Sequence, residues 1–89
     1  MVCYIVAFDP AGLTAAAGTI RQRLQALGNY CPIHPYCWAV LTEMNAVQLR
    51  DYLSQGIPTS KIFVIRSGTE AAWINSYGEK NNEWLKKNL

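Results

Sequence analysis

The chain has 89 residues, a net charge of +2, 51% hydrophobic side chains and only 16% charged ones, against about 25% charged in an average soluble protein. That length supports one domain, which would bury only about 60–65% of its unfolded surface, and the apolar surplus calls for more cover than one small core supplies. The weak net charge, without a basic tail, argues against strong electrostatic attraction to nucleic acid. The longest apolar run reaches about half of the roughly 20 residues a bilayer crossing needs. No basic segment precedes it as in a secretory leader, so a cytoplasmic protein without membrane contact is expected.

Met1-Val2-Cys3-Tyr4-Ile5-Val6-Ala7-Phe8 is unbroken apolar sequence ended by Asp9-Pro10-Ala11-Gly12, which predicts a buried strand over 2–8. Asp9 is the first charge in the chain and stands at the carboxyl end of that strand. Two readings are open for it. Asp bonds its own backbone well at the start of a turn; a carboxylate at a strand end can also be aimed into a cleft.

Leu13, Ala17, Ile20, Leu24 and Leu27 recur at helical spacing, with Arg21, Gln22, Arg23 and Gln25 off the stripe. Thr14 can cap this helix and Gly28 can end it. Residues 29–34 and 37–42 read as strands around a turn at His34-Pro35-Tyr36, the second with a strand-like Cys37-Trp38-Ala39-Val40-Leu41-Thr42 composition. Asn45 and Gln48 form a variant capping box for a second helix, with Met44 and Leu49 as a hydrophobic staple; Gly56 and Pro58 close it. Lys61-Ile62-Phe63-Val64-Ile65-Arg66 predicts a fourth strand, whose apolar centre asks for cover on both faces. Thr69 can cap a short helix from Glu70 to about Ser76, and a last helix is expected over Lys80–Asn88, where Lys86 and Lys87 suit the negative C-terminal end.

Cys31, His34 and Cys37 place two thiols and the only histidine within seven residues. These are zinc-ligand types, but the spacing is not a familiar zinc pattern and no fourth ligand lies nearby. Core or hairpin cysteines in a reducing compartment are the expected reading, with His34 in a polar turn. Trp38, Trp73 and Trp84 lie among apolar neighbours and are read as packing residues, although aromatic platforms also stack bases. Arg21, Arg23, Lys61 and Arg66 are expected on a solvated surface.

The element order, β-α-β-β-α-β with a C-terminal helical extension, predicts an α+β, ferredoxin-like split βαβ domain over 1–68, with 69–89 as an extension of the same domain. Two helices cover one sheet face. Strands one and four, expected side by side at or near the centre, would leave apolar residues on the other, and a second copy of the chain packed about a two-fold axis is the simplest cover.

Phe8-Asp9 at a strand end, Leu27-Gly28-Asn29-Tyr30 closing the first helix, and Trp38-Ala39-Val40-Leu41-Thr42 resemble the CRISPR-associated adaptation-nuclease superfamily, which includes the VapD-type ribonuclease toxins. Phe63-Val64-Ile65-Arg66-Ser67-Gly68-Thr69-Glu70-Ala71-Ala72-Trp73 and Asn82-Glu83-Trp84-Leu85-Lys86-Lys87-Asn88-Leu89 narrow the resemblance to small bacterial proteins loosely described as SinR-family. The resemblance implies a ferredoxin-like homodimer in which Asp9 of each copy faces the other and the pair holds Mg²⁺ or Mn²⁺ for phosphodiester hydrolysis of RNA or DNA. An ion between the two carboxylates would relieve their repulsion and polarise a phosphate or a bound water. The chain departs from the pattern twice. Tyr36 and Cys37 stand where nuclease relatives carry a small hydroxyl residue, so Tyr36 could substitute only with its phenol. Pro10-Ala11-Gly12 supplies no Arg or Lys for a phosphate. The alternative expectation is therefore a non-catalytic dimer that binds a protein or nucleic-acid partner, with Asp9 a turn residue.

Overall fold

In the computed structural model, which describes residues 1–10, 12, 14–68 and 70–89, the first apolar run becomes β1 (Val2–Asp9). It pairs antiparallel with β3 (Cys37–Thr42) on one side and β4 (Lys61–Arg66) on the other. β2 (Tyr30–His34) joins the far side of β3, giving a four-stranded antiparallel sheet in the order β2-β3-β1-β4. Among the described residues three helices complete an α+β fold: α1 (Thr14–Ala26), α2 (Ala46–Ser54) and α3 (Glu79–Asn88).

Strand alternation sorts the sheet into two faces. Tyr4, Val6 and Phe8 of β1, with Trp38 and Val40 of β3, share a core with Ile20 and Leu24 of α1 and Leu49 and Leu53 of α2. Ile20, Leu24, Leu49 and Leu53 are wholly buried, each contributing up to about 1.5–3 kcal/mol of transfer free energy. The predicted helix-one stripe is thus the inward one, with Leu27 half-buried; Leu13 lies outside the described residues. Thr14 is the first residue of α1 rather than the residue before it. Gly28 adopts φ 86°, the left-handed conformation of a C′ glycine, and its N–H donates to the Gln25 carbonyl at 3.0 Å. Arg23 is not the solvated charge expected. Its guanidinium donates to the Leu53 carbonyl at 3.0 Å while the Tyr52 hydroxyl donates to the Arg23 carbonyl at 2.9 Å, tying α1 to α2.

α2 starts as its sequence predicts. The Gln48 N–H donates to Asn45 Oδ1 (2.8 Å) and the Asn45 N–H to Gln48 Oε1 (2.9 Å), a complete capping box. Met44 packs against the cluster that holds Leu49, as a staple would.

Three expectations are corrected. β1 and β4 do lie side by side, but β4 is the edge strand rather than one near the centre. Ile62 and Val64 pack toward the core, but Phe63 and Ile65 on the opposite face are 63% and 56% exposed, so within one chain β4 is covered on one face only. No helix forms over 70–76; the expected cap, Thr69, lies outside the described residues. A helix so short makes few internal hydrogen bonds to offset its nucleation. Trp73 is instead held by α3, its indole N–H donating to Asn82 Oδ1 at 2.8 Å, and Asn75 turns left-handed at φ 60°. Finally, the second sheet face is partly covered by the chain itself. Leu85 of α3 is buried among Cys3, Cys31 and Ala39, with Trp73, Trp84 and Leu89 around it. No helix among the described residues is long and apolar enough to cross a membrane.

Candidate functional site

α3 covers the second face over β2, β3 and the start of β1, with Ile5 at its margin, and leaves β4 open. Ala7 and Ile5 of β1 stand opposite Phe63 and Ile65 of β4 there, and Asp9 and Lys61, also register partners, close the row at one end. Asp9 is exposed as the last residue of β1. The strand ends here because Pro10 has no N–H for a ladder bond.

The β2–β3 hairpin brings Tyr36 to the same place. The Phe8 N–H donates to the Tyr36 carbonyl at 2.9 Å, and the two rings meet edge-on with centroids 5.8 Å apart, a favoured aromatic geometry. Ala7, Phe8, Asp9, Tyr36, Lys61 and Phe63 line one shallow cleft of about 240 Å³. Arg21 reaches over from α1. Its Nε donates to the Pro35 carbonyl at 3.0 Å, and its guanidinium lies 5.2 Å from the Tyr36 ring centroid, a cation–π distance. Lys61 is the cation of this cleft, across the strand pair from Asp9, and Tyr36 also lines it. Sequence reasoning placed Arg21 and Lys61 on a solvated surface. Only the antiparallel register and the hairpin bring them here, and no local pattern signals either.

The residues fit a divalent cation in one way only. Mg²⁺ is commonly held by one or two carboxylates together with substrate phosphates. One chain brings a single carboxylate, with the Lys61 cation as its cross-strand neighbour, and the described residues contain no group of three His, Cys, Asp or Glu side chains able to hold a metal ion. Asp9 and Tyr36 meet the requirement only if a second copy adds its own Asp9.

Cys31, His34 and Cys37 do not converge as a ligand set. Cys31 is buried on the second sheet face under α3, its thiol 3.8 Å from the Asn81 carbonyl. His34 is exposed at the end of β2, where Nδ1 accepts from the Tyr36 N–H at 3.2 Å. Cys37 is half-buried. All three cysteines are free, and burial pushes each thiol above its ordinary range, with Cys3 adding to the effect at Cys31. A raised thiol pKa leaves less thiolate at neutral pH, and Cys3 and Cys31 serve as packing residues of the second cluster.

Of the tryptophans, Trp38 is buried in the core, stacked on Tyr30 at 5.3 Å, while Trp73 and Trp84 pack at the edge of the second cluster. No protein-family model, curated protein or solved structure matches the chain.

Proposed function

We propose that the chain is one protomer of a ferredoxin-like homodimer that acts on nucleic-acid phosphodiesters through paired Asp9 clefts. The strand order β2-β3-β1-β4 with every neighbour antiparallel supports the ferredoxin-like reading. The exposed Phe63 and Ile65 beside Ile5 and Ala7 support a second copy as the cover. The row is apolar in its middle and carries both signs of charge at one end, so it can complement itself about a two-fold axis, as an isologous contact requires.

The observation that carries the reading is the convergence of Asp9, Tyr36 and Lys61 on one open cleft beside that row. Lys61 would take a phosphate oxygen. Tyr36, steadied by Phe8 and Arg21, would hold the sugar–phosphate backbone with its phenol. Two Asp9 carboxylates, one per copy, would hold Mg²⁺ or Mn²⁺, which when bound polarises a phosphate or lowers the pKa of a bound water.

A non-catalytic dimer that holds its partner without cleavage is the second reading, and one observation favours it: the residue opposite Asp9 in the strand register is a lysine, a cation beside the carboxylate where a metal would otherwise sit. Asp9→Asn separates the two. Asn keeps the size and the turn-forming hydrogen bonds and loses the charge. If the first reading holds, wild-type protein cleaves single- or double-stranded RNA or DNA only with Mg²⁺ or Mn²⁺, and Asp9→Asn abolishes cleavage with the fold intact. Wild type inert on all four substrates with either metal establishes the second reading, and cleavage undiminished in Asp9→Asn refutes the role of Asp9.

A further inference from the structure

At the opposite end of the sheet from Asp9, α3 and the start of β2 enclose a groove of about 510 Å³, lined by Asn29, Lys80, Glu83, Trp84, Lys87 and Asn88. Leu41 forms part of its floor and pairs with Cys3, so the groove lies about 20 Å along the strands from Asp9 at roughly 3.4 Å per residue. Lys80, Trp84 and Lys87 stand at i, i+4 and i+7 of α3 and therefore share one helix face. Lys80 and Lys87 are exposed and Trp84 is half-buried.

The indole is fixed. Its N–H donates to Asn29 Oδ1 at 2.8 Å, joining α3 to the residue before β2. With that polar edge engaged, Trp84 is held in place as part of the groove's lining. A second cleft, about 370 Å³, adjoins it, lined by Gly28, Tyr30, Pro32 and Asn81 and by the same Trp84 and Lys80. Trp84 and Lys80 thus line both depressions.

We propose that this face of α3 binds single-stranded nucleic acid, with a base stacked on Trp84 and backbone phosphates beside Lys80 and Lys87. Base–aromatic stacking is tolerant of sequence and needs an unpaired base. Glu83 also lines the groove, four residues before Lys87, so the groove carries one net positive charge. That is too little for a duplex, which is held almost wholly through its phosphates, and enough for a ligand held by stacking with few phosphate contacts. This inference deepens the nucleic-acid reading above by naming single strands, but it stands on residues far from Asp9.

The test is fluorescence anisotropy of short labelled oligothymidylate, oligouridylate and the matching DNA duplex with the full chain. Wild type binds the single strands more tightly than the duplex. The Lys80→Glu/Lys87→Glu double variant, altered only at exposed positions, weakens single-strand binding at least about tenfold and lowers the salt slope of log K by about 1.4, roughly 0.7 per lysine. Arg50→Glu/Lys86→Glu makes the same change in net charge outside the groove and leaves binding within about threefold of wild type. No single-strand binding by wild type, equal binding of the duplex, or an equal loss in the control variant each overturns the proposal. Binding by a protein that cleaves nothing leaves the groove standing and removes the hydrolysis reading; cleavage without the lysine-dependent binding does the reverse.

Discussion

Leu24→Ala tests the core on which the other assignments rest. Leu24 is fully buried in α1, and its cluster includes Ile20, Val40, Leu49 and Leu53, each also at 0% exposure. With neighbours on two helices and the sheet, the void left by the lost carbons cannot collapse or fill with water, so the cost belongs in the upper half of the ~2–5 kcal/mol range for buried Leu→Ala changes. A chain of this length has about 4–13 kcal/mol of stability at roughly 0.05–0.15 kcal/mol per residue, so the change removes a large share of it. Urea unfolding followed by tryptophan fluorescence at fixed protein concentration should show the midpoint falling by about 1–5 M, for a slope of about 1–3 kcal/mol/M, with the slope unchanged. Gln25→Ala, one position along and exposed, should shift stability by less than about 0.5 kcal/mol. A Leu24→Ala midpoint no lower than that of Gln25→Ala would refute the inward assignment of this helix face.

The open apolar row predicts association. Sedimentation at micromolar concentration should give twice the chain mass of 10.0 kDa, and Phe63→Glu, at a 63%-exposed position, should give folded monomer; a monomeric wild type ends both the sheet-face dimer and the shared Asp9 site. The cysteines predict a pH dependence. Burial raises the folded thiol pKa of Cys3, Cys31 and Cys37 above the ordinary thiol range, so the folded state keeps protons that the unfolded state releases. Stability is therefore flat below about pH 8.5 and falls as pH rises beyond it, and replacing all three cysteines by alanine should flatten that fall. At neutral pH, Cys3 and Cys31 should react with a thiol reagent only on unfolding; rapid labelling of the folded protein would contradict their burial.

The local pattern of this chain determined its elements. The apolar run before Asp9, the stripe through Ala17, Ile20 and Leu24, the Asn45–Gln48 capping box and the glycine at 28 each act through neighbours a few residues away, and each stands where its pattern placed it. The same locality explains the failure at 70–76, where a capping pattern was present but Trp73 is held by Asn82 instead of closing a helix. Only the tertiary structure decided which elements meet. Strand order set β4 at the edge and exposed Phe63 and Ile65. Antiparallel register set Lys61 against Asp9, and the hairpin carried Tyr36 beneath Arg21. The docking of α3 on β2 covered half of the second face and fixed Trp84 on Asn29. Contacts such as these join residues far apart in the chain. Their free energy depends on how whole elements pack, and hydrophobic periodicity records only which side of an element is apolar, not what it will meet.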